Sequence, residues 1–191
     1  AFEASCPAFP ADVASEAELN FAIACYNAET TAGTYTINIT QDIDLTASTT
    51  AIDNATSGVE LVVEGGSNTV DAQGVLDARA FFVKADTKVT IRQITVTGGN
   101  TTGPSNSGAV ISVVRGTLTL IDSTLTGNQG SFGGALSNTT GTVTIENSTL
   151  SNNNASGGFL PLGGAIFNAG SDVGGVTTVG TVNVINSTIS G

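Results

Sequence analysis

The chain has 191 residues, enough for one domain with a sizeable core. Its formal net charge is −11 with five basic residues, so it has no basic face to neutralise nucleic-acid phosphates and would be repelled by an anionic membrane surface. With no histidine, it cannot assemble a Ser-His-Asp triad or a His-ligated zinc or iron site.

The opening segment, Ala1–Ala14, carries Phe2, Phe9 and two prolines and follows no periodic pattern. A helix is expected next. Ser15 is a suitable N-cap, Glu18 completes a capping box, and Leu19, Ile23 and Tyr26 fall at helical spacing. Cys6 and Cys25 are the two cysteines, and both lie near this helix. A disulfide between them is the natural pairing, with two buried free thiols as the alternative. The bridge would contribute ~3 kcal/mol through loop closure and implies an oxidising compartment. The chain starts at Ala1 rather than Met, which fits a cleaved secretory signal or another trimmed terminus. No run of about 18 apolar residues occurs, so no membrane insertion is expected.

After the helix the period changes to two. Thr34–Leu45 (TYTINITQDIDL) alternates and reads as a first coil; Val59–Glu64 and Arg79–Val83 read as strands of the next. From residue 87 onward the chain repeats itself: TKVTIRQITVTGGN (87–100), GTLTLIDSTLTGN (116–128), GTVTIENSTLSNN (141–153) and GTVNVINSTISG (180–191). Each copy holds two short strands with aliphatic residues on one face, such as Leu118, Leu120 and Leu125. GGA segments around Ala135 and Ala165 supply a third. Three strands per ~25 residues, with Gly and Asn at the corners, describe one coil of a parallel β-helix. Stacking makes equivalent residues neighbours about 4.8 Å apart. Leu118, Val143 and Val182 would form an internal ladder, and Asp122, Asn147 and Asn186 a polar one at a corner where left-handed backbone is tolerated.

The interval from Val143 to Val182 is 39 residues against 25 for the preceding one, so Asn154–Leu162 and Ser171–Val179 are expected to bulge from the stack. The sequence ends at Gly191 directly after a strong repeat. The expected architecture is all-β: a single right-handed parallel β-helix of five to six coils (34–191), preceded by an N-terminal segment and capping α-helix (1–33).

SEAELNFAIACYNA followed by GTYTINITQDIDLT resembles the opening region of bacterial surface β-helix proteins. NTVDAQG (68–74) is similar to a turn of pectate-lyase-like folds, and LTGNQGSFGGALSN and LSNNNASGGFLPLGGAIFN resemble the GGA(I/L) repeats of polymorphic outer-membrane protein adhesins. The chain departs from those adhesins at Leu125 and Leu150, where their repeat has Phe. The resemblance implies a surface-exposed passenger domain and says little about chemistry, because β-helices carry enzymes, adhesins and rods alike.

Three chemistries remain open. A polysaccharide lyase or hydrolase would draw on Asp71, Asp77, Arg79, Lys84, Asp86, Lys88 and Arg92, but these charges occur singly along alternating strands, as solvated outer faces do. Asp42 and Asp44 in QDIDL would point the same way and form half of an oxygen-rich calcium site; otherwise they are exposed carboxylates, and no other cofactor is implied. Files of Thr on a flat solenoid face suit ice, although Thr is also a good outward strand residue. Seven N-x-S/T sequons (Asn38, Asn54, Asn100, Asn138, Asn147, Asn154, Asn186) mark glycosylation acceptors where the host permits.

The reading with fewest added assumptions is a secreted structural or adhesive cell-surface protein without catalytic residues. Its partners would be a surface glycan or protein receptor, or a second copy stacked head-to-tail into a filament through Phe2 and Phe9 on one side and Val182, Val184 and Ile189 on the other.

Overall fold

The structure is a computed structural model and describes residues 5–102, 109–157, 161–173 and 176–191. It is a parallel β-helix of about five turns with one short helix near the N-terminus. The first long side is a seven-stranded sheet. In spatial order it comprises Ala11–Val13, Gly33–Ile39, Val59–Glu64, Lys88–Arg92, Thr117–Ile121, Thr142–Glu146 and Thr181–Ile185. A six-stranded sheet runs from Ile43–Asp44 through Thr69–Asp71, Thr95–Thr97, Thr124–Thr126 and Thr149–Ser151 to Thr188–Ser190. A four-stranded sheet stacks Phe81–Val83, Ile111–Val114, Leu136–Thr139 and Ile166–Ala169.

The register matches the repeats. Leu61, Val89, Leu118, Val143 and Val182 lie one above another, as do Ile43, Val70, Val96, Leu125, Leu150 and Ile189 on the second sheet. Alternation puts every second residue inside, so these aliphatic columns form one continuous core. The segment resembling a turn, 68–74, contributes the strand Thr69–Asp71 and then turns at Gln73 and Gly74, whose φ are 54° and 68°, with Val75 N–H donating to Ala72 O at 2.9 Å. Val70 of that strand is buried in the aliphatic column.

The corners use left-handed backbone. Gln93, Asp122, Asn147 and Asn186 have φ of 54°, 49°, 49° and 46°. The residue after each of the last three is a serine, and these serines form a ladder. Oγ of Ser148 accepts from Ser123 N–H at 3.0 Å, Oγ of Ser187 accepts from Ser148 N–H at 3.0 Å, and each hydroxyl donates to the carbonyl two residues back. In the GGA segments the first glycine of each pair needs positive φ (Gly133 74°, Gly163 72°), and a Cβ on Gly133 would lie 2.2 Å from Leu136 O.

Of the two expected bulges, Ser171–Val173 and Val176–Thr178 form an antiparallel hairpin outside the parallel stack. The other is not seen at its ends, and residues 158–160 within it lie outside the described residues. Asn154–Ala155 still pairs in parallel with Gln129–Gly130, because Asn154 N–H reaches Asn128 O at 2.9 Å.

The N-terminal end is closed by three devices. Ala11–Val13 pairs with Ile37–Ile39 as the short edge strand of the seven-stranded sheet and so covers the first coil's strand Gly33–Ile39. The helix Glu16–Asn27 buries Leu19, Ala22, Ile23, Cys25 and Tyr26, and its start is capped by Ser15 Oγ accepting from Glu18 N–H, while Glu18 itself takes Ala14 N–H. Its polar residues serve the first coil where that coil has no lower neighbour. Glu16 accepts from Thr46 N–H, Thr46 Oγ1–H and Ala47 N–H, Asn20 accepts from Thr50 N–H at 2.6 Å, and Asn27 bonds Ala51 O and Asp53 N–H. The third device is the Cys6–Cys25 disulfide, across a sequence separation of 19.

Candidate functional site

Three outer surfaces present side chains in files. On the seven-stranded sheet the charges pair between coils. Lys88 lies over Glu60 and Arg92 over Glu64, in direct register, and both pairs form ion pairs, with Arg92 Nε 2.6 Å from Glu64 Oε1. Lys84 meets Asp53 at 2.9 Å on another side. Sequence reading treated these charges as isolated. The signal was present, since Glu60–Lys88 and Glu64–Arg92 have the same 28-residue spacing as the ladder pair Leu61–Val89.

The lyase candidates are not gathered. Asp71 lies on the six-stranded sheet and accepts from Gln73 N–H at 2.7 Å. Lys88 and Arg92 are tied on the seven-stranded sheet. Arg79 sits over the Phe82 ring at 5.3 Å, and burial holds its guanidinium below the ordinary range while Asp77 opposes the shift. Asp77 and Asp86 occupy separate left-handed positions, with φ of 62° and 61°. Asp42 and Asp44 are also engaged: Asp42 accepts from Thr69 N–H at 2.7 Å and Asp44 from Gln73 Nε2 at 2.8 Å. Among the described residues no group of three or more carboxylates or cysteines is placed to hold a metal ion.

The six-stranded sheet shows outward Thr69, Thr95, Thr124, Thr149 and Thr188 in one unbroken register, beside Thr97, Thr126, Ser151 and Ser190. Thr126 and Ser151 are 3.0 Å apart, hydroxyl to hydroxyl. The file runs from Thr188 down through Thr95 of the 87–100 copy to Thr69, which lies before the repeats begin.

The third surface is a groove beside the four-stranded sheet. Its upper part, about 540 Å³, is lined by Val114, Arg115, Thr139, Thr140, Ser171 and Thr178. Its lower part, about 350 Å³, is lined by Asp53, Phe82, Lys84, Ala85, Val114 and Arg115. The two parts share Val114 and Arg115. The antiparallel hairpin forms one wall of the upper part through Ser171 and Thr178. Sequence reading did not single out Arg115.

Of the residues proposed for assembly, Phe9 lies at one end of the stack and Val182, Val184 and Ile189 at the other. Phe9 turns into its own chain, with its ring 5.2 Å from that of Tyr35 and perpendicular to it; Phe2 lies outside the described residues. Val184 and Ile189 are 45% and 47% exposed and Val182 is half-buried, whereas Val143, Ile145 and Leu150 one coil earlier are fully buried. Two sequons, Asn54 and Asn138, are buried and hydrogen-bonded within the fold, which leaves them inaccessible to a glycosyl transferase in the native state. Among the described residues no helix is long and apolar enough to cross a membrane. No protein-family model, curated protein or solved structure matches this chain.

Proposed function

We propose that this chain is an extracellular structural or adhesive surface protein of the kind its GGA repeats resemble. The observation that carries this reading is the allocation of its charges. Three of the five cations form ion pairs with the preceding coil and so help stack the rod. The disulfide fits an oxidising, extracellular location. The exposed aliphatic residues of the last coil are suited to another β-layer, supplied by a second copy in head-to-tail assembly or by further coils of the same polypeptide.

Electron microscopy of the purified chain at high concentration tests assembly: rods longer than one molecule are expected, and monomers throughout would rule it out. Adhesion is tested by retention of the labelled chain on arrayed glycans and extracellular proteins. Release of unsaturated products from polygalacturonate with calcium would overturn the non-catalytic reading. The five-deep threonine file favours one second reading, ice binding. Thermal hysteresis that disappears in Thr124→Tyr would establish it.

A further inference from the structure

We infer that the groove centred on Arg115 is a binding site for a neutral glycan carrying a single sugar carboxylate. This deepens the adhesive reading and rests on it for context.

The argument starts with the cations. Lys84, Lys88 and Arg92 each have a carboxylate partner, and Arg79 is covered by burial and the Phe82 ring. Arg115 is exposed, and no carboxylate pairs with it among the described residues. In a chain of charge −11, that leaves one local site attractive to an anion.

The backbone of Arg115 is fixed. Its φ is 56°, its N–H donates to Thr139 O at 3.0 Å, and its carbonyl accepts from Asp86 N–H at 3.2 Å. The guanidinium is therefore carried on a rigid corner, where the upper and lower parts of the groove meet. A guanidinium binds a carboxylate through two parallel N–H···O bonds, which an ammonium does not reproduce.

The walls specify the remainder of the ligand. Thr139, Thr140, Ser171 and Thr178 give the upper groove hydroxyls that both donate and accept, matching the hydroxyls of a sugar. Below, Phe82 adds apolar surface and Lys84 is already neutralised by Asp53. From Asp53 to the hairpin the groove crosses five coils, roughly 19 Å at the inter-strand spacing, enough for a short oligosaccharide. The net charge repels polyanions, so one acid among neutral units fits better than a polyuronate or an acidic peptide.

Titration calorimetry on the full chain tests this with four trisaccharides and a tri-aspartate peptide. The acids are 3′-sialyllactose and glucuronosyl-xylobiose; the neutral controls are galactosyl-lactose and xylotriose. At least one acid should bind tenfold or more tightly than its neutral counterpart, and which one binds distinguishes a sialate from a uronate ligand. Arg115→Ala should abolish that preference and Arg115→Lys should recover only part of it, with thermal midpoints near that of the parent. Thr140→Val should weaken acid and neutral sugars together; it provides a second route should Arg115→Ala fail to fold. Equal binding of acid and neutral sugars, an unchanged preference in Arg115→Ala, or equally tight binding of the peptide would overturn the site. Retention on neutral glycans without any acid preference would overturn the site while leaving the adhesive role standing.

Discussion

The coils formed by residues 59–92 and those formed by 117–153 share one backbone ladder but are joined by different side chains. In the earlier coils, exposed charges pair across the stack: Glu60 with Lys88 and Glu64 with Arg92. In the later coils, buried amides and hydroxyls take over. Asn128 Oδ1 accepts from Gly99 N–H, its Nδ2 donates to Val96 O and to Asn153 Oδ1, and Asn153 Nδ2 donates to Leu125 O. Exposed ion pairs contribute about 0–1 kcal/mol, whereas a buried polar group left without its partner costs about 1–3 kcal/mol. The later coils therefore hold their register through internal groups that water cannot replace. The earlier coils rely more on aliphatic columns and on the cap, with the partly buried Asn68 amide donating to Ile39 O across the coil.

The largest effect that would sharpen this contrast is at the cap. Replacing both cysteines (Cys6→Ser with Cys25→Ala) should lower stability by about 3 kcal/mol, as expected for a loop of this length. Hydrogen exchange should accelerate first at Ala11–Val13 and Gly33–Ile39, which the cap covers. Uniform acceleration up to the last coils would show that the cap stabilises the whole rod and not the earlier half.

Next is Asn128→Ala, expected to cost about 2 kcal/mol in chemical denaturation because three internal partners lose their contact at once. An effect below about 0.5 kcal/mol would mean that water enters this corner and that the two halves are held alike.

Much of this was legible in the sequence. A period-two alternation repeated at a constant interval fixes which residues face inward and which lie above one another. That is why the Leu118, Val143 and Val182 column was readable, while the helix cap followed from the Ser15–Glu18 capping box and the disulfide from the presence of two cysteines near one helix. The Asn128–Asn153 and Ser123–Ser148–Ser187 ladders were present in the repeats, yet composition alone cannot say whether a corner asparagine points inward or outward. The groove was not legible. Its upper part depends on the strands Ser171–Val173 and Val176–Thr178 lying beside a corner two coils earlier, and no local periodicity encodes that contact.

A smaller effect tests the cap by pH. Tyr26 is fully buried, its hydroxyl has no hydrogen-bond partner among the described residues, and burial, with Glu60 nearby, pushes its pKa up to about 12. Between about pH 10 and pH 12 the unfolded chain ionises this phenol while the folded chain does not, so stability falls as pH rises. Tyr26→Phe should lose that part of the pH dependence. At pH 7 it should be no less stable than the parent, with a gain of up to about 1 kcal/mol, because the substitution removes a buried hydroxyl with no hydrogen-bond partner among the described residues. Thermal midpoints of both proteins at pH 7, 9 and 11.5 provide the comparison.

The smallest expected effect bears most directly on the contrast. Lys88→Gln removes one member of an ion pair whose side chains are 60% and 41% exposed. Its cost should be below about 1 kcal/mol and should vanish in about 1 M salt, where the screening length is only ~3 Å. The same salt should leave the cost of Asn128→Ala unchanged, since neither that side chain nor its partners meet solvent ions. A Lys88→Gln cost that persisted in high salt would mean that Glu60 depends on this lysine for more than screened attraction. The charged columns would then fix coil register as the buried amides do, and the distinction between the two halves would reduce to a choice of side chain.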